Sequence, residues 1–305
     1  MNKSFLLDLL VDPISKESFQ YDAVKNLLIC PISKNEYPVI ESVPKIILNE
    51  NDAISKSSIH NQFNSPFSYI DHYQKDAEIF DYLENSIPKA SKFELKRLRE
   101  AIVNEIPGDG EIVLDVGCGG GWLSEKIIPL GKKVISMDIS TKNPINAVKR
   151  LKHENHAGLI ADVYNIPLRE NSIDCIVASE ILEHVSDPEV FILKLLGVLK
   201  SNGKLIITTP YNEKLEYSLC VHCNRLTPKS AHLHSFNESN IDRFLPKKGI
   251  SRSIRIFSNK YLAKIQPHLF ISFFSFRLWL LLDKLFNKLI YKPCRLQLMI
   301  RKNNS

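Results

Sequence analysis

The spacing of hydrophobic positions changes character several times along the chain, and each change predicts a different element. Across residues 1–48 the apolar runs are short, Asn26-Leu-Leu-Ile-Cys30 and Tyr37-Pro-Val-Ile40 among them, and Pro13, Pro31, Pro38 and Pro44 punctuate them. That pattern predicts a small β-rich unit. Residues 49–68 are rich in Ser, Asn, Asp and His and read as a linker. From 69 to 106 the apolar positions fall at helical spacing, with Ile79, Tyr82 and Leu83 followed by Phe93, Leu95, Leu98, Ile102 and Val103. Beyond Glu111 the period switches again. Strand-like runs at 112–116, 133–137, 158–161, 172–178 and 204–208 alternate with helical stretches at 122–130, 144–152 and 188–199. Such alternation predicts a parallel sheet with helices on both faces. No internal repeat is visible.

Composition narrows this picture. A chain of 305 residues, at roughly 150 per domain, suggests two domains with one of them small. Hydrophobic content of 44% and charged content of 24% exclude a disordered or fibrous chain. No apolar window reaches the roughly 18 residues of a membrane span. Asp8 interrupts the N-terminal apolar run and no small-residue cleavage site follows, so an exported protein is not expected. Six scattered cysteines make no disulfide framework, which points to a reducing, cytoplasmic compartment. The net charge of +6 is uneven: residues 242–302 hold 14 Lys and Arg against Asp242 and Asp283, leaving the rest of the chain net acidic. A basic tail on an acidic body suits an anionic surface, lipid or nucleic acid, or else a solvated face.

Four of the 11 glycines fall between Gly117 and Gly121, directly after the first strand of the alternating region. Glycines at a strand-to-helix turn let a ligand approach the backbone. A nicotinamide-binding site is the obvious competitor, but Trp122 stands where the dinucleotide fingerprint wants its third glycine. Asp115, Asp138, Asp162 and Glu180, at or just after successive strand ends, suit a cationic ligand better than a pyrophosphate.

The chain resembles the class I S-adenosylmethionine-dependent methyltransferases, in particular the small-molecule branch that includes the ubiquinone and menaquinone methyltransferases. Leu114-Asp-Val-Gly-Cys-Gly-Gly-Gly matches the first motif, Val134-Ile-Ser-Met-Asp138 the second strand, and Ile160-Ala-Asp162 the third. Asp174-Cys-Ile-Val-Ala-Ser-Glu-Ile-Leu-Glu-His-Val185 and Leu199-Lys-Ser-Asn-Gly-Lys-Leu-Ile-Ile207 match the fourth and fifth. The resemblance covers about residues 69–210 and extends weakly to 302. It implies a Rossmann-like, seven-stranded α/β sheet over 69–302, with insertions at about 211–240 and 260–292, and the runs at 251–257 and 295–301 as its final strand pair. It also implies that the Gly117–Cys118–Gly119–Gly121 loop runs under the methionine part of S-adenosylmethionine with Asp115 near its ammonium. Asp138, with Ile139 beside it, would hold the ribose hydroxyls. Asp162 and Val163 would meet the adenine, Glu180 would line the same site, and Tyr73, in Tyr69-Ile-Asp-His-Tyr73, would belong to an aromatic lid. His184, in the Glu183-His184 pair that resembles one in the quinone branch, is the candidate base if the acceptor is a hydroxyl, a structural or substrate-lining role being the other reading, and Tyr211 is expected on the acceptor side.

A second constellation follows the fifth strand. Cys220, Cys223, His232 and His234 offer four ligands within 15 residues, a set that suits tetrahedral zinc. The other reading is a reduced loop whose histidines line the acceptor pocket. The N-terminal unit resembles the short zinc-ribbon-like domain that partners or precedes some methyltransferases. In place of two Cys-Pro-x-Cys knuckles it has Asp12-Pro-Ile-Ser15 and Cys30-Pro-Ile-Ser33, so one ligand of four survives and a packing or docking role is expected. In the tail, 269–290 is aromatic and leucine-rich but broken by Arg277 and Asp283, and Lys264, Lys292 and Arg295 flank it. Ser272, Asp283, Lys284, Asn287 and Lys288 gather on one helical face. Such a helix either lies in the interface of an anionic membrane or packs on the domain. The expected activity is methyl transfer, at oxygen, to a small-molecule, glycan or lipid-linked acceptor. The alternatives are a non-catalytic cofactor-binding protein and a tRNA or protein methyltransferase. No recognisable RNA-binding motif supports nucleic acid as a partner.

Overall fold

A computed structural model describes residues 4–48, 69–80, 89–221, 224–264 and 274–304, so the expected linker at 49–68 lies outside the described residues. A short helix α1 (Ser4–Leu7) precedes β1 (Gln20–Asp22), β2 (Leu27–Ile29), β3 (Glu36–Ile40) and β4 (Val43–Ile46). Helices α2 (Tyr69–Ile79) and α3 (Lys89–Val103) lead into the alternating region. There β5 (Ile112–Val116), α4 (Trp122–Ile127), β6 (Lys133–Asp138), α5 (Lys142–Arg150), β7 (His156–Ala161), β8 (Ile173–Ser179), α6 (Pro188–Val198) and β9 (Leu199–Pro210) follow one another. A hairpin of β10 (Tyr217–Leu219) and β11 (Leu226–Pro228) comes next. The chain ends with β12 (Ile250–Asn259), α7 (Lys260–Lys264), α8 (Phe276–Leu289) and β13 (Pro293–Lys302).

The strands β7-β6-β5-β8-β9-β13-β12 form the seven-stranded α/β sheet expected, with β7 to β9 parallel and β13 antiparallel to both β9 and β12. Alternate residues of each strand enter different cores, as the two-residue period of a strand requires. Leu114 and Val116 pack on the side of Phe191, Ile192 and Leu195 from α6, and Val113 packs with Phe93, Leu98 and Ile102 from α3. Burial on both faces explains why the parallel strands read as continuous hydrophobic runs. The strand order reverses at β5 and β8, so the loops after β5, β6, β7 and β8 open around one crevice, the position in which sheets of this type bind ligands.

The N-terminal strands continue this sheet. β4 pairs in parallel with β7 through Lys45–Ile160 and Ile46–Ala161, which brings the sheet to eleven strands. Leu6, Leu10 and Leu28 share the larger core with Leu159 and Leu182. The knuckle positions are joined by hydrogen bonds: Ser15 Oγ donates to Asp12 Oδ2 at 2.9 Å and lies 3.3 Å from Cys30 Sγ.

At the other end α8 lies against β12. Trp279 is buried against Phe257 and Phe276, with the Arg97 guanidinium over its ring. Asp283 is fully buried and accepts the N–H groups of Ser258 and Asn259 at 3.0 and 2.7 Å, and Asn287 Nδ2 also reaches it. The single polar face expected for this helix is therefore split. Asp283 and Asn287 turn inward because two strand N–H groups need acceptors, while Lys284 and Lys288 face outward. Ser272 and the rest of 265–273 lie outside the described residues. No helix among the described residues is long and apolar enough to cross a membrane.

Candidate active site

β5 ends at Val116 and the chain turns sharply through Gly117–Gly121 into α4. Gly117, Gly119 and Gly121 have φ of +69°, +47° and +74°, left-handed values that side chains disfavour. Packing enforces glycine as well. A Cβ on Gly117 would fall 2.1 Å from Ile181 Cδ1, and one on Gly121 would fall 2.7 Å from Ala147 Cβ. The N–H groups of Gly117 and Cys118 both donate to Met137 O, at 2.8 and 3.1 Å, and fix the loop to β6. Cys118 is buried, and burial pushes its thiol well above the usual range, so it is an inert packing residue.

Two acids border this loop, and the chain treats them differently. Asp138, at the end of β6, accepts Gly119 N–H at 3.3 Å, Ser140 N–H at 2.9 Å and Asn143 Nδ2 at 3.1 Å. Burial nonetheless holds its carboxyl above the ordinary value. Asp115 is 2% exposed, and its Oδ2 has no hydrogen-bond partner among the described residues. Burial, with the charge of Asp138 added, pushes its carboxyl up to about 7. An unsatisfied buried acceptor costs about 1–3 kcal/mol, and a donor brought by a ligand would recover it.

Helix α2 covers this end of the sheet. Gln74, which the sequence did not single out, donates through Nε2 to Ile139 O at 2.9 Å and accepts Thr141 N–H at 3.0 Å. Tyr69 donates to Asp162 Oδ2 at 2.6 Å, and Tyr164 N–H and Asn165 Nδ2 also reach that carboxylate. Asp162 is buried, and burial raises its carboxyl. Val163 packs against the larger core beside it. Tyr73 stands edge-on to His184, with ring centroids 6.2 Å apart, and burial raises its phenol above the usual range. The expected lid residues therefore link Asp162, through Tyr69, and His184, through Tyr73.

On that side Glu180, Glu183 and His184 follow β8. Glu180 sits at φ +56° and accepts Arg295 Nη1 from β13 at 2.8 Å. Burial raises its carboxyl although Arg295 opposes the shift. Glu183 is 1% exposed, and burial together with Glu180 lifts its carboxyl well above the ordinary value. Glu180 Oε1, Glu183 Oε2 and Thr209 Oγ1 are all buried without a partner among the described residues. His184 Nδ1 lies 3.2 Å from Ala231 O, and Nε2 is 4.0 Å from Glu183 Oε1. Burial, reinforced by His232, lowers the His184 pKa to about 4, so its imidazole is neutral at pH 7. The carbonyl holds the proton on Nδ1 and leaves the Nε2 lone pair open.

The expected zinc set does not assemble among the described residues. His232 joins Glu183 and His184 instead, with ligand atoms within 4.8 Å of one another, and Glu213 Oε2 lies 2.5 Å from its Nδ1. His234 Nε2 is bound to Val185 O at 3.0 Å, and its ring lies against Phe236 and Phe244. Cys220 closes the turn of the β10–β11 hairpin, where its carbonyl accepts Asn224 N–H, and Cys223 lies outside the described residues. Tyr211, at the end of β9, meets Tyr291 hydroxyl to hydroxyl at 2.9 Å.

Residues 114–207 match the family model described as a methyltransferase domain. Over 134 residues the chain is 36% identical to a ubiquinone biosynthesis O-methyltransferase of Xanthomonas axonopodis pv. citri, covering 40% of this chain and 54% of that protein. It is 33% identical over 162 residues to a mitochondrial ubiquinone biosynthesis O-methyltransferase of Bos taurus, covering 48% and 42%. The chain thus matches about half the length of these relatives. An S-adenosylmethionine dependent methyltransferase structure from Mesorhizobium loti aligns with a TM-score of 0.50 at 17% identity, covering 69% of this chain and 100% of that one. The cyclase SpnF aligns with a TM-score of 0.50 at 16% identity, covering 68% and 81%. At such identities a structural likeness establishes the fold, and the cyclase illustrates that one fold hosts more than one chemistry.

Proposed function

We propose that this chain, a member of the class I S-adenosylmethionine-dependent methyltransferases, transfers a methyl group from S-adenosylmethionine to a hydroxyl of a small-molecule acceptor. The observation that carries the reading is Asp115 Oδ2, a buried carboxylate oxygen with no donor among the described residues, beside a backbone loop that tolerates no side chains at Gly117 and Gly121. This donor set fits a cationic, backbone-hugging cofactor. Asp115 would receive its ammonium, Asp138 its ribose hydroxyls, and Asp162, Val163 and Tyr69 would bound its base.

S-adenosylmethionine supplies an electrophilic methyl carbon on a positively charged sulfur. The chain's part is to hold the acceptor oxygen in line with that bond, a positioning role that accounts for most of the acceleration in such displacements. The acceptor hydroxyl would give its proton to His184 Nε2, whose lone pair is open. Glu183, 4.0 Å away, faces the imidazolium that results. The relatives that match the chain act at oxygen, and His184 supports the same choice here. Tyr211, which meets Tyr291 hydroxyl to hydroxyl, would border the acceptor side, and a glycan or lipid-linked acceptor belongs to the same reading. The six cysteines, scattered along the chain rather than grouped as a disulfide framework, support a cytoplasmic setting.

Glu183, His184 and His232 also compose a donor set for a divalent cation, zinc among them. Metal analysis of protein purified without chelator separates the two roles of His184. About one equivalent of metal, lost with the His232→Ala change, would make His184 a ligand, and a metal-free active protein leaves it as the base.

Calorimetric titration with S-adenosylmethionine tests the cofactor reading. Asp138→Ala removes a charge-assisted contact and is expected to weaken binding about 10- to 150-fold. Unchanged affinity would overturn the placement.

A further inference from the structure

Helix α8 is amphipathic twice over. Its inner face carries Trp279 and Asp283, both buried against β12. Its outer face carries Leu278, Leu281, Leu285 and Leu289, exposed at 42%, 54%, 48% and 82%. These four follow one another at steps of three, four and four residues, so they form a single stripe along one side of the helix. The stripe continues into Ile290 and Tyr291, exposed at 46% and 57%. Stability of the domain does not account for it, because the helix is already anchored from the other side.

Arg277, Lys284 and Lys288 border the stripe on one flank, and Lys292 follows its end. None of the four forms an ion pair among the described residues, and Asp283, the only acid in α8, is turned inward. Exposed leucines beside unneutralised cations match a surface that is apolar inside and negatively charged at its boundary. A second copy of the chain fits less well, since pairing two such helices would set like charges side by side.

We infer that the outer face of α8 rests on an anionic lipid surface, with Leu278, Leu281, Leu285 and Leu289 at the acyl boundary and the cations among the headgroups. The end of this face lies at the acceptor side of the crevice, because the Tyr291 hydroxyl meets Tyr211 at 2.9 Å and Glu238 at 3.3 Å. An acceptor with a lipid tail would then be presented to His184 without leaving the membrane. This last step rests on the methyl-transfer reading, whereas the lipid contact stands without it.

Co-sedimentation of the full chain with vesicles, with no S-adenosylmethionine added, tests the lipid contact separately from catalysis. Binding is expected to mixed phosphatidylglycerol–phosphatidylcholine vesicles, to be absent with phosphatidylcholine alone, and to fall as salt rises. Lys284→Glu/Lys288→Glu is expected to weaken it by about 30-fold or more, at roughly the effect of one surface cation per lysine removed. Leu281→Ser/Leu285→Ser, at exposed positions, should abolish it while S-adenosylmethionine affinity stays at the wild-type value. Failure to bind the anionic vesicles at low salt would overturn the inference, as would undiminished binding by the leucine variant. A wild-type dimer in sedimentation velocity that the leucine variant converts to monomer, with no vesicle binding, would assign the face to a second copy instead. Vesicle binding by a protein that takes no S-adenosylmethionine would uphold the lipid contact and reject the catalytic reading alone.

Discussion

Asp12 and Asp115 are both buried acids, one in the N-terminal unit and one in the crevice, and the protein solves their burial in opposite ways. Burial pushes Asp12 upward, but hydrogen bonds from Ser33, Ser15, Ile14 N–H and Asn35 outweigh it and leave the carboxyl below its ordinary value. The Tyr37 hydroxyl donates to it as well, at 3.2 Å. Asp115 Oδ2 has no donor among the described residues, and the carboxyl rises to about 7. The donors around Asp12 make it a structural acid, whereas the open oxygen of Asp115 supports the cofactor-binding reading. Asp283 and Glu183 repeat the contrast: the first accepts two strand N–H groups, and Oε2 of the second has no partner among the described residues.

The sharpest way to break this contrast is at the histidine it leaves open. His184→Ala is expected to lower kcat by about 10²- to 10⁴-fold, the usual contribution of a positioned base, with S-adenosylmethionine affinity unchanged in calorimetry. A kcat within twofold of wild type would mean that the acceptor needs no base. Asp12→Ala is expected next, at roughly 2–4 kcal/mol of lost stability, because several donors are orphaned together. Denaturant midpoints measure this, and cofactor affinity of the folded fraction should not move.

Asp115→Asn should do the reverse, weakening cofactor binding while relieving the fold. The folded-state pKa of Asp115 lies above its unfolded value, so ionising it costs stability as the pH climbs from about 4 to about 7. The Asn variant should therefore melt above wild type at pH 8 and lose that advantage near pH 4 in thermal scans. A variant that melts below wild type at pH 8 would show that Asp115 is satisfied in solution.

The smallest expected effect is on binding as a function of pH. A cationic ligand prefers the ionised carboxylate, so wild-type affinity for S-adenosylmethionine should rise roughly eightfold from about pH 6 to about pH 7.5. The Asn variant should show a flat profile over the same interval.

Much of the crevice was legible in the sequence because its parts are local. The glycines, Asp115, Asp138 and Asp162 lie within a residue or a few of strand ends whose hydrophobic runs locate them. The remaining contacts around the crevice were less legible because their pairings span the chain. Glu213 reaches His232 across 19 residues, Gln74 reaches Ile139 across 65, and Arg295 reaches Glu180 across 115. Spacing groups His232 with Cys220, Cys223 and His234; Cys223 lies outside the described residues, and it takes contacts distant in sequence to place His234 Nε2 on Val185 O. Asp283 looked like part of a wet face for a similar reason. Helical periodicity places it among polar neighbours, and only the N–H groups of Ser258 and Asn259 reveal that it faces inward.

The two residue pairs that join β4 to β7 have a consequence beyond the architecture. All six residues of β7 are buried, and its far side is bonded to β6. Without β1 to β4 this strand would become an apolar sheet edge with unpaired backbone groups, a template on which another chain can add. Fragments that start after residue 48 should therefore self-associate, and low activity in such a fragment would reflect aggregation before it said anything about catalysis.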